Sequence, residues 1–431
     1  MLKITCEGVY YKNGGFVPAK DGPAAGLPAP EKAREGTMAH AILKAHNTGD
    51  NMEELAIRFD AMASHDITYV GIIQTARASG MQAFPLPYVL TNCHNSLCAV
   101  GGTINEDDHV FGLSAAKKYG GEFVPAHQSV IHSYMRERYA APGRMILGSD
   151  SHTRYGAYGT MAIGEGGPEL ARQLLSKTYN IPYPKVIAIY LTGTPIPGVG
   201  PQDVALELIR STFKDGVVKN AVMEFFGPGV ANLSMDYRSG IDVMTTETTC
   251  LSSIWPADHT LKAHLAVLGR GEAFKPQAPA DGAYYDGLIE VELDKIRPMI
   301  ALPFHPSNAY TIQEFQENLD ELLHQVDEDT VRQLKLKNRP ASLREKIVDG
   351  KFRVDQGVIA GCSGGTYQNI VRAAQILDGR AIGSGEFWLS VYPTSQPVNL
   401  ELTRRGYIAS LMAAGASIRS CFCGPCLSLI H

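Results

Sequence analysis

Three cysteines near the end of this 431-residue chain restrict its fold more than any other feature. Cys362 lies in Val358-Ile-Ala-Gly-Cys-Ser-Gly-Gly365, a strand-like run that passes into a glycine-rich loop. Cys423-Gly-Pro-Cys426 puts two more sulfurs on one tight turn, with Cys421 expected to point away. Loops that follow strands are where α/β folds place ligands, so both segments can meet at one end of a sheet. Three thiolates gathered there can hold a cubane iron–sulfur cluster and leave one iron open as a Lewis acid. Taken alone, the pattern fits unpaired cysteines near a chain end equally well. A thioredoxin-type dithiol is a rival reading of Cys-Gly-Pro-Cys, but only Leu427 to His431 follow, too little for the helix that motif requires. A zinc site needs a fourth ligand, and no Cys/His pair has the usual spacing.

The rest of the chain reads as strand, loop and helix in alternation, which predicts α/β architecture with mainly parallel sheets. Lys185-Val-Ile-Ala-Ile-Tyr-Leu191 predicts a strand, and Pro201 to Phe213 a helix opened by proline. Asp50 to Ala63 carries apolar residues at helical spacing, and Ile67 to Ile73 reads as a buried strand. The Gly- and Pro-rich run Thr192–Gly200 and the segment Pro298–Pro306 suggest three α/β units, 1–195, 196–303 and 304–431, the last carrying the cysteines. A chain of this length is too long for one core.

Charge narrows the range of partners. The formal net charge is −5, which favours neither nucleic acid nor an anionic membrane. No apolar run approaches a membrane span, and the first residues lack a secretory pattern. The expected location is cytoplasmic, where eight cysteines are more readily reduced or metal-bound than disulfide-paired.

A second candidate constellation is Gly148-Ser-Asp-Ser-His-Thr153, which follows the short apolar run Arg144 to Leu147. Asp150 and His152 on one loop can orient each other for proton transfer. An isolated run of this kind is more simply a turn with a surface histidine. His132 sits in a helix-like stretch just upstream, and His94 follows the apolar segment Phe84 to Leu90. Glu247 is an acid in an otherwise uncharged stretch, either buried or simply exposed.

In this order the segments resemble the aconitase/isopropylmalate isomerase family. The resemblance rests on Tyr139 to Thr153, on Phe226-Gly-Pro-Gly-Val230 with Met244-Thr-Thr-Glu247, on Ala360-Gly-Cys-Ser363, and on Gly406 to Cys426. It implies three α/β domains around a [4Fe–4S] cluster held by Cys362, Cys423 and Cys426. It implies catalytic roles for His94, His132, Asp150, His152 and Glu247, and a substrate contact at Ser151. Arg154 is the best local candidate for gripping a carboxylate. The implied reaction is hydration or isomerisation of a hydroxy-di- or tricarboxylate. Two departures stand out: Cys93 replaces the family's aspartate before the catalytic histidine, and Cys362-Ser-Gly-Gly365 loses an asparagine. The family's C-terminal swivelling domain, with its arginines and serine base, would have to come from beyond this sequence. The expectation is therefore a chain that bears the cluster and does not turn over alone. The other class of reading is a non-catalytic cluster-binding relative, such as a sensor.

Overall fold

The computed structural model describes residues 2–94, 102–337, 341–383 and 385–423. Its first strand, β1 (Leu2–Thr5), joins the second of the three sheets that position the site. The first sheet holds β2 (Ala61–His65), β3 (Tyr88–Thr91), β4 (Glu122–Val124), β5 (Met145–Gly148) and β6 (Met161–Gly164), all parallel, in the order β4-β3-β2-β5-β6. Strands β2, β3 and β5 are buried at every residue. That explains their continuous apolar character, because a parallel sheet is covered on both faces. The strand order reverses between β2 and β5. Such a reversal opens a crevice at the carboxyl ends of the two strands, the usual ligand position in this architecture.

The second sheet contains β7 (Val186–Thr192), β8 (Val222–Phe226), β9 (Ser252–Ile254) and β10 (Gly287–Glu292), ordered β1-β10-β7-β8-β9 with β1 alone antiparallel. The third is a short parallel sheet of β11 (Gln356–Ile359), β12 (Trp388–Val391) and β13 (Ser417–Ile418). The first two sheets share their apolar cores: one cluster joins Ala63 and Ile146 to Ile189, Phe225 and Trp255, and reaches Cys362 and Cys423.

Two expectations need correction. Asp50 to Ala63 is extended, with a strand at Glu54–Ile57 pairing with Tyr179–Pro182 and then the start of β2. The stabilising partner lies more than 120 residues away, so local spacing could not reveal it. Ile67 to Ile73 instead runs into a helix, where Tyr69, Ile72, Ile73 and Ala76 turn inward at 3.6-residue spacing. A short apolar run does not distinguish strand from buried helix. Within 1–195, β1 and β7 belong to the second sheet. The division at 303 cuts the antiparallel pair Met299–Ala301 and Ala309–Thr311.

Four helices matter to the site: α1 (Met38–His46), α2 (Tyr69–Ala78), α3 (Ile131–Arg138) and α4 (Met235–Met244). Helix α3 ties the three sheets together. The buried Arg136 guanidinium donates to the carbonyls of Cys362 (3.3 Å), Arg154 (3.2 Å) and Ser239 (3.4 Å), one from each sheet's neighbourhood. Ser133 on the same helix shares a hydrogen bond with the Thr394 hydroxyl, and the Val130 N–H donates to the Thr394 carbonyl at 3.0 Å. These bonds hold the third sheet's cysteine loops against the open end of the first.

Candidate functional site

The carboxyl ends of β2, β3 and β5 deliver His65, His94 and Asp150 to one point. His65 is the last residue of β2, His94 lies three residues past β3, and Asp150 lies two past β5. The loop carrying Asp150 is packed too tightly to admit side chains behind it. A Cβ on Gly148 would come within 2.1 Å of Thr153 Oγ1, and one on Gly164 within 2.4 Å of the Asp150 carbonyl. That carbonyl accepts the Thr153 N–H (3.1 Å) and hydroxyl (2.6 Å), which closes the turn.

Asp150 is 3 % exposed and surrounded by imidazoles. Its Oδ1 accepts the His152 backbone N–H at 2.7 Å and lies 3.2 Å from His132 Nε2. Its Oδ2 lies 3.1 Å from His94 Nε2 and 3.8 Å from His65 Nε2. Burial opposes its negative charge, but His132, His152 and His94 outweigh burial and hold the carboxyl well below the usual range. It is a fixed carboxylate.

The imidazoles differ in what their surroundings favour. Desolvation and the adjacent His94 push His65 down to about 3, so it is neutral. Desolvation lowers His132 to about 4 despite Asp150, and its Nδ1 lies 3.2 Å from the Tyr155 hydroxyl. Burial also disfavours charge on His94, yet the Cys423 and Cys93 sulfurs and Asp150 together raise it well above the ordinary histidine range. His152 is raised to about 9: desolvation is outweighed by Asp150 and by Glu247, whose Oε1 lies 2.8 Å from His152 Nε2. The site therefore sets neutral and protonated histidines around one carboxylate, an arrangement suited to proton transfer.

Glu247 is buried, on the short turn that follows α4. Cys362 follows β11 directly. Cys423 is placed by its backbone N–H, which donates to the Cys93 carbonyl at 2.8 Å beside His94. Cys362, Cys423, His132, Asp150, His152 and Glu247 all line one cavity of about 310 Å³. Cys421 turns its sulfur toward the Gln128 carbonyl, at 3.7 Å. Cys426, the third expected ligand, lies outside the described residues.

Ser151 is exposed, its hydroxyl 3.4 Å from His152 Nδ1. Arg154 is buried and does not line this cavity; its guanidinium donates to the carbonyls of Thr153 (2.9 Å) and Cys250 (2.8 Å), so it holds backbone. Among the described residues lining the cavity there is neither arginine nor lysine. His65 and Gln202 escaped the sequence reading. Gln202 Nε2 donates to the Ser363 hydroxyl (2.9 Å) and carbonyl (3.0 Å), steadying the Cys362 loop. His65 was masked by the reading of its flanks as helix and strand; an His-Asp pair ending a buried strand is the signal that would have exposed it.

The Aconitase family model (aconitate hydratase) matches residues 40–430. The chain belongs to the aconitase family. It is 30 % identical over 394 residues to the mitochondrial aconitate hydratase of Schizosaccharomyces pombe, covering 86 % of this chain and 46 % of that protein. Against the probable mitochondrial aconitate hydratase of Dictyostelium discoideum it is 28 % identical over 418 residues, covering 91 % of this chain and 50 % of the other. A further relative, also of Schizosaccharomyces pombe, is an aconitase–ribosomal protein bL21m fusion protein, 28 % identical over 340 residues, with 75 % of this chain and 34 % of the fusion covered. The chain spans about half the length of the first two relatives. Their names place those two proteins in mitochondria and lend no support to a cytoplasmic location. No described helix is long and apolar enough to cross a membrane.

Proposed function

We propose that this chain is the cluster-bearing part of an aconitase-type hydro-lyase acting on a hydroxy-di- or tricarboxylate. The observation carrying this reading is the convergence of Cys362 and Cys423 with the imidazole-caged Asp150 on one cavity. The sulfur donors and proton-handling groups fit a [4Fe–4S] cluster ligated by Cys362, Cys423 and Cys426. Such a cluster, when bound, supplies a Lewis-acidic iron toward a hydroxyl and carboxylate.

The chain's own residues would do the rest. Asp150 fixes the His94, His132 and His152 rings and keeps a negative charge at the centre of the site. His94, held protonated, is placed to give a proton to a departing hydroxyl. His152, protonated and braced between Asp150 and Glu247, orients toward the cavity and supplies positive charge there. A substrate with two or three carboxylates needs more cation than histidines offer, and planar Arg forks are the usual answer. We infer that these come from a part corresponding to the other half of the relatives' length.

A second reading is a cluster-binding relative that does not catalyse. It draws on Cys93, whose Sγ lies 3.1 Å from His94 Nδ1. Burial pushes this thiol up, at a position where the family places a carboxylate. The two readings part in one assay: the reconstituted chain, alone and mixed with the C-terminal half of a family member, presented with unsaturated di- and tricarboxylates. Hydration that appears only in the mixture supports the enzyme. Absence of hydration in the mixture, with the cluster intact, favours the non-catalytic relative.

A further inference from the structure

His65, His94 and Asp150 form a second donor set that uses none of the expected cluster cysteines. The three are 4 %, 5 % and 3 % exposed, and each presents one donor atom within 4.8 Å of the others. The His65 and His94 rings stack with centroids 4.1 Å apart and planes 28° from parallel, so both Nε2 atoms face the same Asp150 oxygen. Their distances to Asp150 Oδ2, 3.8 and 3.1 Å, bracket the separation of about 3.3 Å that two donors take on a tetrahedral ion with bonds near 2.1 Å.

The hydrogen bonding points the same way. His94 Nε2 and Asp150 Oδ2 are both buried and neither makes an aligned hydrogen bond, although they are in reach of each other. Buried polar atoms almost always find partners. Two buried donor atoms this close and this poorly aligned are placed to share a cation in place of the proton between them. The surroundings hold the set in place. The His94 backbone N–H donates to Asp66 Oδ1 at 3.0 Å, and His94 Nδ1 rests against Cys93 Sγ. Such outer contacts fix ring orientation in metal sites. His65 ends β2 and Asp150 lies two residues past β5, the two strands flanking the reversal in strand order, so the backbone presets their separation.

We propose that His65, His94 and Asp150 bind one divalent transition-metal ion of the zinc class, which displaces the proton that His94 otherwise holds against Asp150. Two imidazoles and a carboxylate suit such ions and leave a coordination position open. Entry is through the cavity that Asp150 lines. This goes beyond the cluster reading and does not depend on it.

Cobalt(II) is the probe, added under anaerobic conditions to protein stripped of iron and sulfide by a chelator. One equivalent of Co²⁺ is expected to bind with visible ligand-field absorption and without thiolate-to-metal charge transfer. Cys362→Ser is expected to bind it unchanged. His65→Gln is expected to bind at least about tenfold more weakly. Asp150→Asn, checked by circular dichroism, gives a second route should His65→Gln fail to fold. The proposal is overturned if binding survives the loss of His65 or Asp150, if the spectrum is thiolate-type and vanishes in Cys362→Ser, or if no Co²⁺ binds. Failure of the cluster to reconstitute would leave these outcomes untouched, so the two readings fail separately.

Discussion

At the scale of single residues, the site is organised by one carboxylate. Asp150 holds its charge against burial because three histidines face it, and it raises His152 in return. The sign of the pH effect follows. His152 titrates near 9 when folded and near 6.5 when unfolded, so its contribution to stability is complete below about pH 6.5 and is lost as pH rises through 9. Glu247→Gln removes one of the two carboxylates responsible. The variant should be less stable than the parent by roughly 1–2 kcal/mol near pH 6, with the difference shrinking above pH 9. Urea unfolding of both proteins across that range measures it, and a difference that does not change with pH would refute the assignment. The Ser-Asp-Ser-His-Thr run announced this loop in the sequence. Arg154 shows where residue-level reading ends: a cation next to the motif looks available until its acceptors, the Thr153 and Cys250 carbonyls, are seen.

At the scale of elements, Arg136 is the decisive link. It sits on α3 and satisfies carbonyls near all three sheets, including that of Cys362 itself. Removing it leaves those buried acceptors without their donor, at a cost of about 1–3 kcal/mol for each bond that nothing replaces. Arg136→Met should lower the unfolding midpoint by several degrees and weaken retention of Cys362 near Cys423. Arg136→Lys should not rescue it, because one ammonium cannot reproduce a planar fork. Calorimetry of the two variants checks both statements, and a parent-like midpoint in Arg136→Lys would contradict the geometry. Elements with local signatures were legible from sequence: β7, the proline-led helix Pro201–Thr212, and α3 around His132. Those defined by remote pairing were not. Glu54–Ile57 is a strand because Tyr179–Pro182 lies beside it, and the buried face of α2 imitates a strand over seven residues. His65, between these two misread segments, was lost with them.

At the scale of the molecule, the chain folds part of an aconitase-family architecture, with two sheets sharing cores and a third carrying the Cys362 loop. The fold class was legible because alternating strands and helices with glycine-rich strand ends allow few other arrangements. The unit boundaries were not, because β1 and β7 cross between sheets without any break in composition. The cavity offers sulfur, imidazole and carboxylate but no arginine or lysine among its described lining, which is why we assign substrate grip to a further part. The proposed function depends on the sulfurs meeting at that cavity. The most direct measurement is anaerobic reconstitution with iron and sulfide, followed by absorbance and iron and sulfide quantification in the parent and in Cys362→Ser. The account predicts about four irons and four sulfides per chain in the parent, with the broad visible absorption of a cubane cluster, and loss of most of it in the variant. A parent chain that acquires no cluster, or a variant that acquires it as fully as the parent, would contradict it.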